Sequence, residues 1–229
     1  MTRILLITLF SLLATDAPAQ SLEAILGARM SSNVIVTRDR TATEVQGHPY
    51  AHNVWAKGSF RTRMNNEYTD VDLKFDAYSN ALVILYKADS LQVKADVVSE
   101  FDYVVGNQTY VFKNGFDTTL DRLTPQAYLM VLSEGTWSIY KEVKKAYKKS
   151  NFDPTYFTGN RFDWYEDANR YIVKSPDGSF SELRPTRRNL IRLFGEKGRQ
   201  MDQYIRQRGF DLENDAHLSH IFEFASSLE

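Results

Sequence analysis

Cysteine is absent from this chain of 229 residues. That excludes disulfide staples, a thiol nucleophile and the lipid-bearing cysteine of a lipoprotein. Stability must come from a packed core. Histidine is scarce, with four copies, and the formal net charge is only −1. Such a balance supplies no global field that would draw the molecule to nucleic acid or acidic lipid, and no nucleic acid partner is expected. Familiar catalytic signatures are missing too: no G-x-S-x-G, no H-E-x-x-H, no phosphate-binding glycine loop, no dinucleotide fingerprint. Long apolar runs are also lacking. The longest, Ile4 to Ala14, has 11 residues, whereas a spanning helix needs about twenty.

That run has another meaning. Arg3 precedes it, and Ala17 and Ala19 follow at the spacing a signal peptidase requires. Residues 1–19 are therefore expected to be a secretory signal, cleaved before Gln20. Export to the periplasm or cell exterior follows, with a peripheral place at the outer membrane open and no transmembrane segment in the mature chain. About 210 residues remain, enough to bury roughly 70% of their unfolded surface. The bulk for a core comes from 14 Phe, 13 Tyr and 3 Trp.

After the signal, "SLEAILGARM" suits a short helix and "SSNVIVTRDRTATEVQ" an extended lead-in. From residue 54 to about 183 the hydrophobic period is two. In "TDVDLKFDAY", Val71, Leu73, Phe75 and Ala77 share one face, while Asp70, Asp72, Lys74 and Asp76 share the other, solvated one. Turn signals at "SN", "GN", "EG" and "SPDG" separate further strands and predict hairpins in succession. About eight to ten strands are expected. After Arg184 the period lengthens. Thr186 is a helix N-cap and Gly195 a C′ residue, with Leu190, Ile191 and Phe194 on one stripe. Met201, Tyr204 and Ile205 form a second stripe, and Leu218, Ile221, Phe222 and Ala225 a third. The fold class is α+β: an antiparallel β-meander, sandwich or open barrel, over residues 20–183, then a three-helix subdomain over 184–229 packed on the sheet.

Chemistry has few candidates. His48 and His52 lie four apart around Pro49, and His217 and His220 three apart on the last helix. Together they would make a four-nitrogen zinc site and a metal-dependent hydrolase. Separately they are surface features, and Pro49 makes the first pair a turn. "DVDLKFD" offers alternate aspartates but lacks a calcium loop's glycine and fifth-position ligand. "SIYK" matches S-x-x-K, but in a strand Ser138 and Lys141 point to opposite faces. The richest stretch is 151–167. It crowds Phe152, Tyr156, Phe157, Phe162, Trp164 and Tyr165 among Asp153, Asp163, Glu166 and Asp167. Exposed and coplanar, Tyr156, Trp164 and Tyr165 would stack on sugar faces, with Asp163, Glu166 and Asp167 accepting hydroxyl protons or supporting glycosidic hydrolysis. The competing expectation is that these rings fill the end of the β core beneath a long loop.

Two basic stretches remain. "KEVKKAYKK", 141–149, holds five lysines and one glutamate, a pattern that guards a sheet edge. Residues 184–208 hold eight Arg or Lys against Glu196 and Asp202, and residues 210–229 five acids and no Lys or Arg. Adjacent helices of opposite sign would neutralise each other, or the basic surface would meet phosphate-bearing glycolipid. "NQT" at 107–109 matches a glycosylation acceptor inside a tight hairpin.

"GHPY" at 47–50, "VDLKFDAYSNALVIL" at 71–85, "QTYVF", "AYLMVLSEGTWSIYKEV" and the closing helices together resemble an uncharacterised family of secreted β-rich proteins from Bacteroidota. The resemblance covers most of the mature chain. It implies export and a similar mixed fold, and carries over no activity, cofactor or functional residue. The expectation is an exported, non-enzymatic interaction or cell-envelope protein needing no cofactor. The alternative is a carbohydrate-binding or carbohydrate-active protein using loop 151–167. A glycan or envelope component would be the partner.

Overall fold

The structure is a computed structural model that describes residues 34–37, 45–87, 89–118 and 120–228. The expected signal and the "SLEAILGARM" helix lie outside the described residues. Among the described residues fourteen strands and three α-helices follow one another, more strands than turn signals alone suggest. Eleven strands form one antiparallel sheet in the order β1-β6-β5-β4-β3-β7-β8-β9-β10-β13-β14. These are β1 (Val34–Thr37), β3 (Ala56–Thr62), β4 (Glu67–Asp76), β5 (Ala81–Tyr86), β6 (Asp89–Val93), β7 (Val98–Val105), β8 (Gln108–Lys113), β9 (Leu129–Ser133), β10 (Ser138–Glu142), β13 (Arg170–Lys174) and β14 (Phe180–Leu183). The sheet is open, with β1 and β14 at its edges. A smaller sheet, β11-β12-β2, joins β11 (Lys145–Lys148), β12 (Asp163–Asp167) and β2 (Val45–Gln46). Lys145 and Lys148 of the lysine-rich stretch thus lie on an edge strand, β11, as its composition implied, whereas Lys141 lies in β10 inside the large sheet.

Aromatic packing curls the large sheet. Strands β3 and β7 separate β4 from β8, so a flat sheet would hold the outer two about 14 Å apart. Yet the rings of Phe75 and Phe112 are 4.8 Å apart, centroid to centroid. Phe101 lies 4.8 Å from Phe112 and 4.9 Å from Tyr128. The alternation in β4 holds as expected, with Val71, Leu73, Phe75 and Ala77 all buried on this inner face. A bulge then reverses parity. The β3–β4 register shifts between Gly58 and Phe60, Asp70 takes a left-handed φ of 57°, and Tyr68 turns into the core beside Phe60. Polar staples fix the curl. Asn80 donates to Gln126 O at 2.9 Å and accepts from Tyr128 N at 2.9 Å, while the Tyr128 hydroxyl donates to Val98 O at 2.9 Å.

The tail follows its sequence signals. Helix α1 (Arg187–Leu193) is capped by Thr186, whose side chain accepts from Asn189 N. Gly195 beyond it has φ 54°. Helix α2 (Gly198–Arg208) ends at Gly209 in the left-handed conformation. Helix α3 (Asp215–Ser227) buries Leu218, Ile221, Phe222 and Ala225. All three helices pack on Ile139, Val173 and Leu183 of the sheet. Of the acids of the tail, Asp215 pairs with Lys141 of β10 at 2.7 Å, and Asp202 of α2 is bound by Arg187 of α1. On the reverse face of β9, β10 and β13, the segment before β9 covers Leu129, Tyr140 and Ile172 with Leu123 and Ala127.

Gly58 is the tightest point of the sheet. A Cβ there would fall 1.9 Å from Asp102 O and 2.8 Å from Tyr103 Cα. No side chain fits without parting β3 from β7. Gly58→Ala should therefore cost about 3 kcal/mol or more, read as a lowered midpoint in urea unfolding, whereas alanine at Gly106, which has open space and only a left-handed φ of 62° against it, should cost about 1 kcal/mol.

Candidate functional site

The chain leaves β11 at Lys148 and returns in β12 at Asp163. The loop between them is stapled. Asn151 N donates to Asn160 O at 3.2 Å, and Asn160 N donates to Asn151 Oδ1 at 2.7 Å. Nearer the tip, Asp153 N donates to Thr158 O at 2.9 Å, and Asp153 Oδ1 accepts from Thr155 N at 2.8 Å. Gly159 lets the two sides meet, since a Cβ there would lie 2.3 Å from Asn151 O. At the tip, Tyr156 is 75% exposed and Phe157 76% exposed. Phe162 is also exposed. The loop rings thus do not fill the end of the core. Phe157 has φ 52°, a conformation that costs a bulky L-residue roughly 1–2 kcal/mol. The surrounding staples hold it there.

Polar groups at the base of the loop are engaged locally. Asp163 accepts the Tyr147 hydroxyl in a short bond and Ser150 N at 2.6 Å. The tyrosine bond, then the amide, holds its carboxyl below the usual range. The same bond raises the Tyr147 phenol. Arg161 lies over the Phe152 ring, 4.8 Å from its centroid.

Strand β12 divides the expected platform. Neighbouring residues of a strand point to opposite faces. Tyr165 packs edge-on against Tyr78 and Tyr147, at 5.5 and 5.3 Å. Trp164 lies on the other face with Glu166, its Nε1 donating at 3.4 Å. Tyr156, Trp164 and Tyr165 therefore do not share one plane of approach. Glu166 also meets Lys148 at 3.1 Å, and Asp167 meets Lys145 at 2.8 Å.

The two histidine pairs stay in separate surroundings. His52 Nδ1 shares a 3.0 Å hydrogen bond with the Tyr103 hydroxyl, and its ring packs 4.4 Å from Tyr110. His48 stacks on Tyr50. His217 Nδ1 accepts from Asp211 N at 3.0 Å, and His220 Nδ1 contacts Glu223 at 3.1 Å. Among the described residues no group of three or more His, Asp or Glu is placed to hold a metal ion. The four-nitrogen zinc site is not assembled. Ser138 and Lys141 of "SIYK" lie in a strand; the hydroxyl donates to Gly135 O at 3.0 Å and the amine to Asp215 at 2.7 Å.

One residue departs from its expected place. Lys74 is 8% exposed, with Nζ 4.7 Å from the ring centroids of both Tyr50 and Trp55. The segment 47–55 continues alongside β4, with Tyr50 bridged to Asp76 and Ala51 N donating to Phe75 O at 2.9 Å. It covers the face that alternation alone assigns to solvent. It also joins the two sheets: Pro49 O accepts from Ala77 N and Tyr78 N at 2.9 and 3.1 Å, while Lys145 N donates to Ala77 O at 3.1 Å.

The chain matches no protein-family model, no curated protein and no solved structure.

Two tests follow from this geometry. Phe157→Gly should be more stable than Phe157→Ala by about 1 kcal/mol, because only glycine relieves the left-handed φ; urea unfolding of the pair measures it. The second concerns pH. Burial first, then His48 and Lys145, lowers the pKa of His52. The unfolded chain takes up this proton near pH 6.5, ahead of the folded one. Stability should therefore fall as the pH drops below about 6.5 and level off once folded His52 also protonates. His52→Gln should flatten that part of the Tm profile, relative to the unaltered protein.

Proposed function

We propose that the protein is an exported, non-enzymatic binding protein of the cell envelope, with the stapled loop 151–160 as its recognition element. The observation that carries this reading is the pair Tyr156 and Phe157, three-quarters exposed on a braced tip with Phe157 held at φ 52°. Apolar rings gain by burial, and backbone strain persists where the surroundings enforce it and function uses it. A rigid loop has already lost the entropy that binding would otherwise cost. The leader pattern of residues 1–19 supports export. The non-enzymatic part draws support from what the reactive groups already do. Ser138, Lys141, Asp163, Glu166 and Asp167 are each engaged in local hydrogen bonds or ion pairs.

A second reading, carbohydrate binding, is favoured by Trp164 and Glu166 sharing one face of β12. It would use that face without Tyr165.

Fractionation of the cells that make the protein tests the first reading. The protein should stay with the washed envelope. The variant Tyr156→Ser/Phe157→Ser should move to the soluble fraction with its Tm unchanged to within about 2 °C. Equal partition of the two would overturn the recognition role. A glycan array in which Trp164→Ala abolishes a signal that the tip variant retains would establish the second reading instead.

A further inference from the structure

We propose that the surface this loop recognises is the headgroup region of an anionic lipid bilayer, which Tyr156 and Phe157 enter while Lys149 and Arg161 meet lipid phosphates. The inference rests on the binding role just given and names its partner. Shape comes first. Pro154, Thr155, Tyr156 and Phe157 are all exposed at a turn closed by the Asp153–Thr158 bridge. The recognition element is thus a protruding tip, while small-molecule sites are concave and converge polar groups on their ligand. Here the polar groups converge on the loop itself. Asn151 and Asn160 bind each other, Ser150 Oγ donates to Asn160 O at 2.9 Å, and Asp153 takes the Thr155 amide. What remains outward is one phenol and one phenyl ring, the kind of pair that settles where hydrocarbon meets headgroups.

Charge points the same way. The acids at the base of the loop are already engaged: Asp163 is held by Tyr147 and Ser150, and Glu166 and Asp167 pair with Lys148 and Lys145. The cations are turned outward. Lys149 and Arg161 are exposed, and neither forms an ion pair among the described residues. Arg161 is steadied only by the Phe152 ring. Lys148 and Lys144 extend the basic surface along the same edge strand and its approach, Lys148 shared with Glu166. With a net charge of −1 the molecule has no global attraction to acidic lipid. The attraction is local, and it lies at the two ends of the loop that carries the exposed rings.

Vesicle co-sedimentation of the purified protein tests this, using phosphatidylcholine alone and phosphatidylcholine with about a third phosphatidylglycerol. Binding should appear on the anionic vesicles and weaken as salt rises. Tyr156→Ser/Phe157→Ser should lower the partition coefficient about tenfold or more. Lys149→Gln/Arg161→Gln should lower it about twentyfold at low salt, roughly fivefold for each charge. A Phe157→Trp reporter should shift its emission to the blue on anionic vesicles, measured as the difference from the unaltered protein. No sedimentation with either vesicle, or equal binding by the tip variant, would overturn the lipid proposal. If envelope retention still depends on the tip while vesicles fail, the recognition role stands and its partner is an envelope protein or glycan. If neither depends on the tip, both readings fall.

Discussion

The contact between Phe75 and Phe112 organises this molecule. It joins strands that two others separate in the sheet, so it exists only if the sheet bends around it. Phe101, Tyr103 and Tyr128 complete the cluster, and the bend that they impose decides what else is feasible. Gly58 must lack a side chain because β3 and β7 are pressed together there. Asp70 must take a left-handed backbone so that β4 keeps its rings inside on both sides of the bulge. In a protein without disulfides the core performs the whole task of holding distant strands, and the aromatic composition shows how. Large flat rings span the gap between strands that aliphatic side chains would leave unfilled.

The second half of the sheet meets a different requirement. Strands β9, β10, β13 and β14 lie beyond the aromatic cluster, and their inner face is covered by the helical tail. The same sheet therefore has two covers on one side, its own far strands and then three short helices. Leu132 touches both clusters. Ser219 and Ser226 of α3 fasten the second cover, donating to Leu132 O at 2.6 Å and Trp137 O at 3.0 Å.

Much of this was legible in the residues. The tail helices carry their own punctuation in Thr186, Gly195 and Gly209, and their stripes have a period no strand shares. The hairpin at Gly106 and the alternation of β4 are equally local. Lys74 was not legible, because period two tells which side chains oppose one another and not what a distant segment will lay over them. Its burial comes from residues 47–55, far away in sequence. The division of Trp164 from Tyr165 was hidden for another reason. "DWYED" shows no apolar alternation, so nothing marks it as a strand, although once its strand geometry is known the opposite orientation follows at once. The exposure of Tyr156 and Phe157 ran against composition, since rings usually gain by burial. Only the staples within the loop, backbone to backbone and side chain to backbone, reveal how the tip is braced.

The junction between the two sheets has a further consequence. It consists of the β10–β13 ladder running on in the same register into β11–β12, with Ala168 N donating to Lys144 O at 2.8 Å, of the backbone bonds at Pro49, Ala77 and Lys145, and of Tyr78 leaning on Tyr147 and Tyr165. Loop 149–162 closes the far end of that ladder, and none of its rings belongs to a buried core cluster among the described residues. Selection can therefore redraw the outer loop, lengthening it or exchanging its rings, without renegotiating the packing that lets the chain fold. A scaffold divided in this way separates inheritance of shape from inheritance of specificity.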